Sequence, residues 1–212
     1  MKRLSWVFVV GLLCAGLTYA QDDHKVEVTG DYSYFRANPG LPKYFNSQNL
    51  NGGGGQVTFF ITPNIGFAAD LQGYGSYTQC TKPGAVIQGC ASGNLFTYMF
   101  GPQIKKHSGK YQFFGEGLFG AAHSNGYGSI LRCVSSNDPT SCNLSSGNGN
   151  NNAFAMEFGG GLDIPLSKTV QIRPVEVDYL YTNFSSNHVA HIANSQNSFK
   201  YFAGVNFTLG GK

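Results

Sequence analysis

Acidic residues in this sequence recur at positions where their side chains could share one face. In the stretch NAFAMEFGGGLDIP, residues 152–165, Glu157 and Asp163 fall on one parity, among alanines and glycines. Phe154, Met156 and Phe158 fall on the other parity. A period of two is typical of a β-strand, whose successive side chains point to opposite faces. Carboxylates on one face could line a cation pathway or form ion pairs with basic side chains.

The same alternation places most of the acidic residues on one side of the chain. Eight of the eleven acids take the less apolar parity of their segments: Glu27, Asp31, Asp70, Glu116, Glu157, Asp163, Glu176 and Asp178. Lys200 has the same parity, and Pro174, which cannot donate to a strand ladder, predicts a bulge that turns Arg173 to that side. We favour a structural network over a cation pathway, with Arg173, Lys200 and Arg36 bridging the carboxylates.

Eight alternating segments predict eight strands, and the connections between them are alternately long and short. The predicted strands are 26–36, 55–62, 65–77, 94–104, 111–122, 153–164, 170–181 and 198–209. The connections 37–54, 78–93, 123–152 and 182–197 are long and rich in Asn, Gly and Ser, whereas 63–64, 105–110 and 165–169 are short. This alternation puts all four long loops at one end of an up-and-down antiparallel array.

The low content of charged residues indicates which face of this array points inward. Only 12% of the residues are charged, whereas a water-soluble surface usually mixes many charges of both signs. In a bilayer the apolar parity faces lipid and the polar parity fills the interior. The sequence therefore predicts an all-β, eight-stranded transmembrane β-barrel with four long external loops and short periplasmic turns. Eight strands leave an interior that side chains just fill, so an open pore is not expected.

The first twenty residues are predicted to be a signal peptide rather than part of the fold. Lys2 and Arg3 precede the apolar run 6–17, and Thr18-Tyr19-Ala20 is a small-x-small cleavage site. The barrel domain is then residues 21–212, in which twelve basic residues stand against eleven acidic ones. No basic run is present, so a nucleic acid is not an expected partner.

Four cysteines remain after the signal peptide: Cys80, Cys90, Cys133 and Cys142. An even number in an exported protein favours disulfides, and three connectivities are possible. Each close pair lies within one long loop. We therefore expect Cys80 to pair with Cys90 and Cys133 with Cys142.

The end of the chain supplies a resemblance. The stretch FAGVNFTL, residues 202–209, resembles the assembly signal of outer-membrane barrels, with Gly204 followed by Phe207 and Leu209. The whole barrel region is similar to the small eight-stranded outer-membrane β-barrels, the OmpA-like and opacity-protein-like porin group. The resemblance implies a monomer in a Gram-negative-type outer membrane, in contact with lipid, lipopolysaccharide and the barrel-assembly machinery, with a possible external ligand at the loops.

An enzyme of the same architecture is the weaker alternative. His123-Ser124-Asn125 resembles the His-x-Ser-Asn of lipid A deacylase barrels without the intervening residue, and neighbours on a strand point apart, so His123 is poorly placed to activate Ser124. His188 and His191 are expected to be solvated loop residues. We expect no catalytic residue, cofactor or metal, and a structural or surface-interaction role in envelope integrity or adhesion. A narrow porin-like channel is the alternative.

Overall fold

The computed structural model describes residues 25–38, 46–80, 82–83, 90–124, 151–183 and 195–210. These ranges contain eight strands: β1 Val26–Ala37, β2 Gln48–Phe60, β3 Ile65–Cys80, β4 Cys90–Ser108, β5 Tyr111–Ser124, β6 Asn151–Pro165, β7 Val170–Asn183 and β8 Ser195–Leu209. The described part of the chain has no helix long and apolar enough to cross a membrane. The predicted signal peptide, Cys133, Cys142, His188 and His191 lie outside the described residues.

The eight strands close into a barrel in which each strand pairs antiparallel with its sequence neighbours. β1 completes the circle by pairing with β8, from Val26 opposite Leu209 to Arg36 opposite Phe199. The predicted fold class is thereby confirmed.

The short connections all lie at one end of the barrel. They span 61–64 between β2 and β3, 109–110 between β4 and β5, and 166–169 between β6 and β7. Gly109 has a φ of 61°, the left-handed conformation that a two-residue hairpin turn favours and that glycine adopts at little cost. We call the end of the barrel with these short connections the turn end, and the opposite end the loop end.

Most strands extend further than the sequence suggested. The largest correction concerns residues 48–54, which we expected in a loop and which belong to β2. A Cβ atom on Gly52 would lie 2.2 Å from the carbonyl oxygen of Gly73, and one on Gly54 would lie 2.0 Å from that of Leu71. These glycines therefore permit close approach of β2 and β3. β4 likewise runs to Ser108, so that residues 105–108 belong to a strand instead of a turn.

The burial of side chains follows the predicted period of two, except in β7, where a bulge shifts the pattern. In β5 the pattern alternates almost without a break, with Gln112, Phe114, Glu116 and Leu118 buried. In β7 the register with β8 shifts between Arg173 and Glu176, beside Pro174. As a result, two side chains three positions apart both point into the barrel.

Candidate functional site: the barrel interior

The barrel interior is the candidate site, because seven of the eight expected acids are buried there. Asp31 is partly buried, and its carboxylate accepts a hydrogen bond of 3.1 Å from the Gln72 amide. Residues of all eight strands contribute buried polar side chains, among them Glu27, Gln56, Asp70, Gln72, Gln103, Lys105, Glu116, Glu157, Asp163, Arg173, Glu176, Asp178 and Lys200.

Lys105 connects three strands at the turn end. Its Nζ donates to Asp163 at 2.7 Å and also to Glu27, and all three side chains are buried. Lys25, at the start of the described chain, adds a second ion pair to Glu27 at 2.6 Å. Asn206 of β8 donates to Glu27 at 2.8 Å. This cluster ties β1, β4, β6 and β8 together.

Arg173 occupies the bulge of β7 and binds two acids. Its Nε lies 2.8 Å from Asp163 Oδ1, and its Nη1 lies 2.8 Å from Glu176 Oε2. The guanidinium carbon lies 4.0 Å from the centre of the Phe114 ring, in the geometry of a cation–π contact. Nη1 also donates to Gln56 at 3.2 Å. The bulge thus supplies the interior with a base that strict alternation would have sent outward.

Lys200 forms ion pairs in the middle of the barrel. Its Nζ lies 2.8 and 2.7 Å from the two oxygens of Glu157 and 3.7 Å from Asp70. The same ammonium lies 4.9 Å from the centre of the Phe202 ring. Lys200 therefore compensates more than one carboxylate.

Three buried carboxylates meet near Lys200. Oxygens of Glu116, Glu157 and Asp178 all lie within 4.8 Å of one another. Glu116 accepts hydrogen bonds from the amides of Gln56 at 2.8 Å and Gln103 at 2.7 Å. Neither oxygen of Asp178 has a hydrogen-bond partner in the described part of the chain. We call Glu116, Glu157 and Asp178 the acidic triad.

Most of the large side chains buried towards the loop end of the interior are apolar. Phe35 of β1 lies opposite Leu50 of β2, and its ring packs 5.0 Å from that of Tyr74. The Tyr74 hydroxyl shares a 2.9 Å hydrogen bond with Ser33. The cluster comprises Phe35, Leu50, Ala68, Tyr74, Leu95, Met99, Leu118, Ala122, Ala153, Ala155 and Leu180. Its members Leu118 and Leu180 lie directly opposite Glu157 in the ladders of β6, so the cluster adjoins the ion pairs.

Burial at the junction of these two layers is nearly complete. Leu118, Leu180 and Lys200 have no exposed surface, while Met99 and Glu157 are 1% exposed. A water-filled passage would leave its lining side chains accessible to water. Within the described residues, no such passage crosses this level.

The interior network differs from expectation in two members. Arg36 is exposed and donates to Asn49 at 2.6 Å, so the expectation that it bridges interior carboxylates is wrong. Its parity, opposite to that of Phe35, already placed it outside. Lys105 escapes prediction from the sequence, because 105–110 has the length and composition of a turn. Lys105 has the same odd-numbered parity as Thr97 and Gln103, and this pattern is the sequence signal that could have identified it.

The remaining candidate residues lie at the loop end. Ser124 is buried in the barrel, whereas the adjacent His123 is half-buried and lies 2.6 Å from the side-chain oxygen of Asn152. The two side chains thus diverge, as their adjacency in a strand requires. Cys80 lies directly opposite Cys90 in the β3–β4 ladder, a register that supports the predicted local pair.

The outer face of the barrel is apolar. Large hydrophobic side chains are exposed on every strand, for example Val57, Phe67, Phe100, Phe113, Phe158, Val177 and Tyr201. At the loop end, outward tyrosines bond to asparagines of neighbouring strands: Tyr32 donates to Asn51 at 2.8 Å, and Tyr179 donates to Asn197. An apolar belt with amphipathic aromatic residues at its rim is the wall of a barrel that faces lipid.

Comparisons with known proteins agree with this architecture. No family model matches the sequence, and neither does any curated protein. Among solved structures, Neisserial surface protein A (NspA) is 13% identical with a TM-score of 0.58, over 88% of this chain and 97% of that chain. Ail, the attachment invasion locus protein of Yersinia pestis, solved with the heparin analogue sucrose octasulfate, is 12% identical with a TM-score of 0.53, over 88% and 99%. The fold is therefore that of the small eight-stranded outer-membrane β-barrels.

Proposed function

We propose that this protein is an integral outer-membrane barrel that holds its long loops at the cell surface, with a structural or surface-interaction role. One observation carries the proposal: an apolar outer wall surrounds an interior sealed by ion pairs and by an apolar cluster. Such a body anchors loops and leaves little room for transport or for a substrate.

The outer wall supports membrane insertion. Exposed phenylalanines surround the barrel, whereas soluble monomers rarely expose apolar patches larger than a few hundred Å². We expect the protein in the outer-membrane fraction, in contact with lipid and lipopolysaccharide, as a monomer inserted by the barrel-assembly machinery. Unboiled protein should migrate differently from boiled protein on gels. Refolding as a soluble monomer without detergent would contradict membrane insertion.

The sealed interior distinguishes this proposal from the channel alternative. Ions would have to cross the level of Leu118, Leu180 and Lys200, where the described residues leave no exposed surface. We expect the protein in planar bilayers to show no steady conductance. Reproducible single-channel steps, absent from a Lys200→Met control that still inserts, would favour a narrow channel through the ion-pair network.

The loops are the proposed interaction surface. Beyond the described strands they contain few charged residues, namely Lys43, Lys82, Arg132 and Asp138, against many Asn, Gly and Ser. This composition supports recognition through hydrogen bonds rather than the binding of a polyanion such as the heparin analogue in the Ail complex. Cells that display the protein should bind an external ligand, for example a glycan or host protein, and should lose that binding when 128–147 is replaced by a short Gly-Ser linker. Unchanged binding would exclude this loop as the contact.

A lipid-modifying enzyme is not supported by the described residues. Its nucleophile and base would have to lie within hydrogen-bond reach, whereas Ser124 faces inward and His123 bonds towards Asn152 on the other face. Ser124→Ala should therefore leave the lipid A of the host strain unchanged in mass spectra. If lipid A were modified in a strain that carries the wild-type protein but not in one that carries Ser124→Ala, the protein would be a lipid-modifying enzyme after all.

A further inference from the structure

The charge balance of the interior is strongly negative. Eight acidic side chains point into the barrel, and the basic side chains that pair with them in the described residues are Lys25, Lys105, Arg173 and Lys200. The interior thus holds four more acids than bases, and three of the acids, Asp31, Glu116 and Asp178, form no ion pair in the described residues. An uncompensated charge in a region without water is costly, so each of these groups requires a counter-cation or a proton.

The deficit is concentrated at the acidic triad. Lys105 is engaged by Glu27 and Asp163, and Arg173 by Asp163 and Glu176. Within the described chain, neither Glu116 nor Asp178 forms an ion pair. Of the triad, Glu157 alone has a base, which is Lys200.

Unpartnered oxygen atoms give a second, independent indication of a ligand. Asp178 is 1% exposed, and both of its carboxylate oxygens lack a hydrogen-bond partner in the described residues. Gln103 has no exposed surface, and its amide nitrogen donates to Glu116, yet its carbonyl oxygen Oε1 is also without a donor. Buried oxygen atoms that no donor reaches are typical of positions that a cation or an ordered water occupies.

The spacing fits a divalent cation that prefers oxygen ligands. Ca²⁺ binds carboxylate and amide oxygens at about 2.4 Å, so two ligands on opposite sides of the ion lie about 4.8 Å apart. The triad oxygens lie within 4.8 Å of one another.

We propose that Glu116, Glu157 and Asp178 bind a divalent cation of the Ca²⁺ class inside the barrel, with the Gln103 carbonyl as a neutral ligand. The ion enters during folding, since Glu157 and Asp178 are only 1% exposed in the closed barrel. It neutralises the carboxylates that Lys200 cannot serve and joins β5, β6 and β7. The sequence had given no reason to expect a metal.

The test is refolding of the protein from urea into detergent micelles with CaCl₂, MgCl₂ or EDTA, followed by equilibrium unfolding. With free Ca²⁺ at about 100 times its dissociation constant, the ratio of folded to unfolded protein should rise about 100-fold. Asp178→Asn should abolish this response and should unfold at a higher urea concentration than wild type in EDTA, because it removes an uncompensated charge. Asp31→Asn, the same change in an interior acid outside the triad, should keep the calcium response.

Further outcomes decide the proposal. Glu116→Gln should also lose the calcium response, which keeps the test valid should Asp178→Asn fail to fold. Wild-type midpoints that are equal in CaCl₂, MgCl₂ and EDTA would overturn the proposal and indicate that protons neutralise the triad. A calcium response retained in both triad variants would overturn it as well, because the ion would then act elsewhere.

Discussion

Lys200 Nζ lies within 2.8 Å of both carboxylate oxygens of Glu157, at a level of the barrel where neither side chain meets solvent. The two residues belong to β8 and β6, which are not neighbours in the sheet. Their contact therefore crosses the interior. Asp70 approaches the same ammonium from β3, at 3.7 Å. A single base thus serves acids from different sides of the barrel.

Because Lys200 is shared in this way, removing its charge and removing the charge of Glu157 should have unequal effects on the stability of the barrel. Lys200→Met should lower the free energy of unfolding by about 3–5 kcal/mol, because it leaves buried carboxylates without a base. Glu157→Gln should cost less, because Lys200 keeps Asp70 and the interior loses a surplus negative charge. Urea unfolding in detergent, followed by circular dichroism, measures both. Equal losses would contradict a surplus of acids in the interior.

Lys105 and Lys106 offer a matched comparison, because they are adjacent in β4 and point to opposite faces. Lys105 is buried between Glu27 and Asp163, whereas Lys106 is exposed. Lys105→Met should lower the free energy of unfolding by about 3–5 kcal/mol. Lys106→Met should change it by no more than about 0.5 kcal/mol. The same unfolding titration measures both, and similar effects would mean that Lys105 does not hold the turn end together.

Gly159 makes room for Asp178. A Cβ atom on Gly159 would lie 1.8 Å from Asp178 Oδ1 and 2.5 Å from the carbonyl oxygen of Val177, which belongs to the backbone and cannot swing away. Gly159→Ala should therefore destabilise the barrel by about 1–3 kcal/mol. Gly30→Ala is the control, because nothing lies within 4 Å of the added atom. Equal thermal unfolding of the two variants would show that β6 and β7 can separate at this point.

The disulfide prediction rests on local pairing. Cys80 and Cys90 lie opposite each other where β3 and β4 reach the loop end, while Cys133 and Cys142 lie outside the described residues. Peptide mapping without reductant should recover Cys80–Cys90 and Cys133–Cys142. Each bridge closes a loop of about ten residues and should contribute roughly 2–3 kcal/mol, mainly by restricting the unfolded chain.

Loss of the bridges should affect the loops more than the barrel. A variant with all four cysteines changed to Ser should still insert, because strand hydrogen bonds and lipid contact close the barrel. Its loops should be cut faster by protease than those of the wild type. Crossed pairs such as Cys80–Cys133, or failure of the variant to assemble, would show that bridges between loops are part of the fold.

The sequence by itself determined the fold and the face that each strand turns inward. Alternation with a period of two is local, so Glu157 could be assigned to the interior and Phe158 to the exterior without knowing any partner strand. The bulge at Pro174 could also be predicted from the sequence, because proline has no backbone N–H to donate to the neighbouring strand. These features depend on residues that are close in the chain.

The tertiary structure alone decided which charges meet. Lys105, Glu27 and Asp163 come from β4, β1 and β6, and their contact depends on how the strands are staggered when the barrel closes. The stagger depends on every strand pairing and on strand lengths that the sequence underestimated. The same closure places Asp178 beside Glu116 without a base for either, because the register of the whole barrel, and no local pattern, sets the distance between carboxylates on different strands.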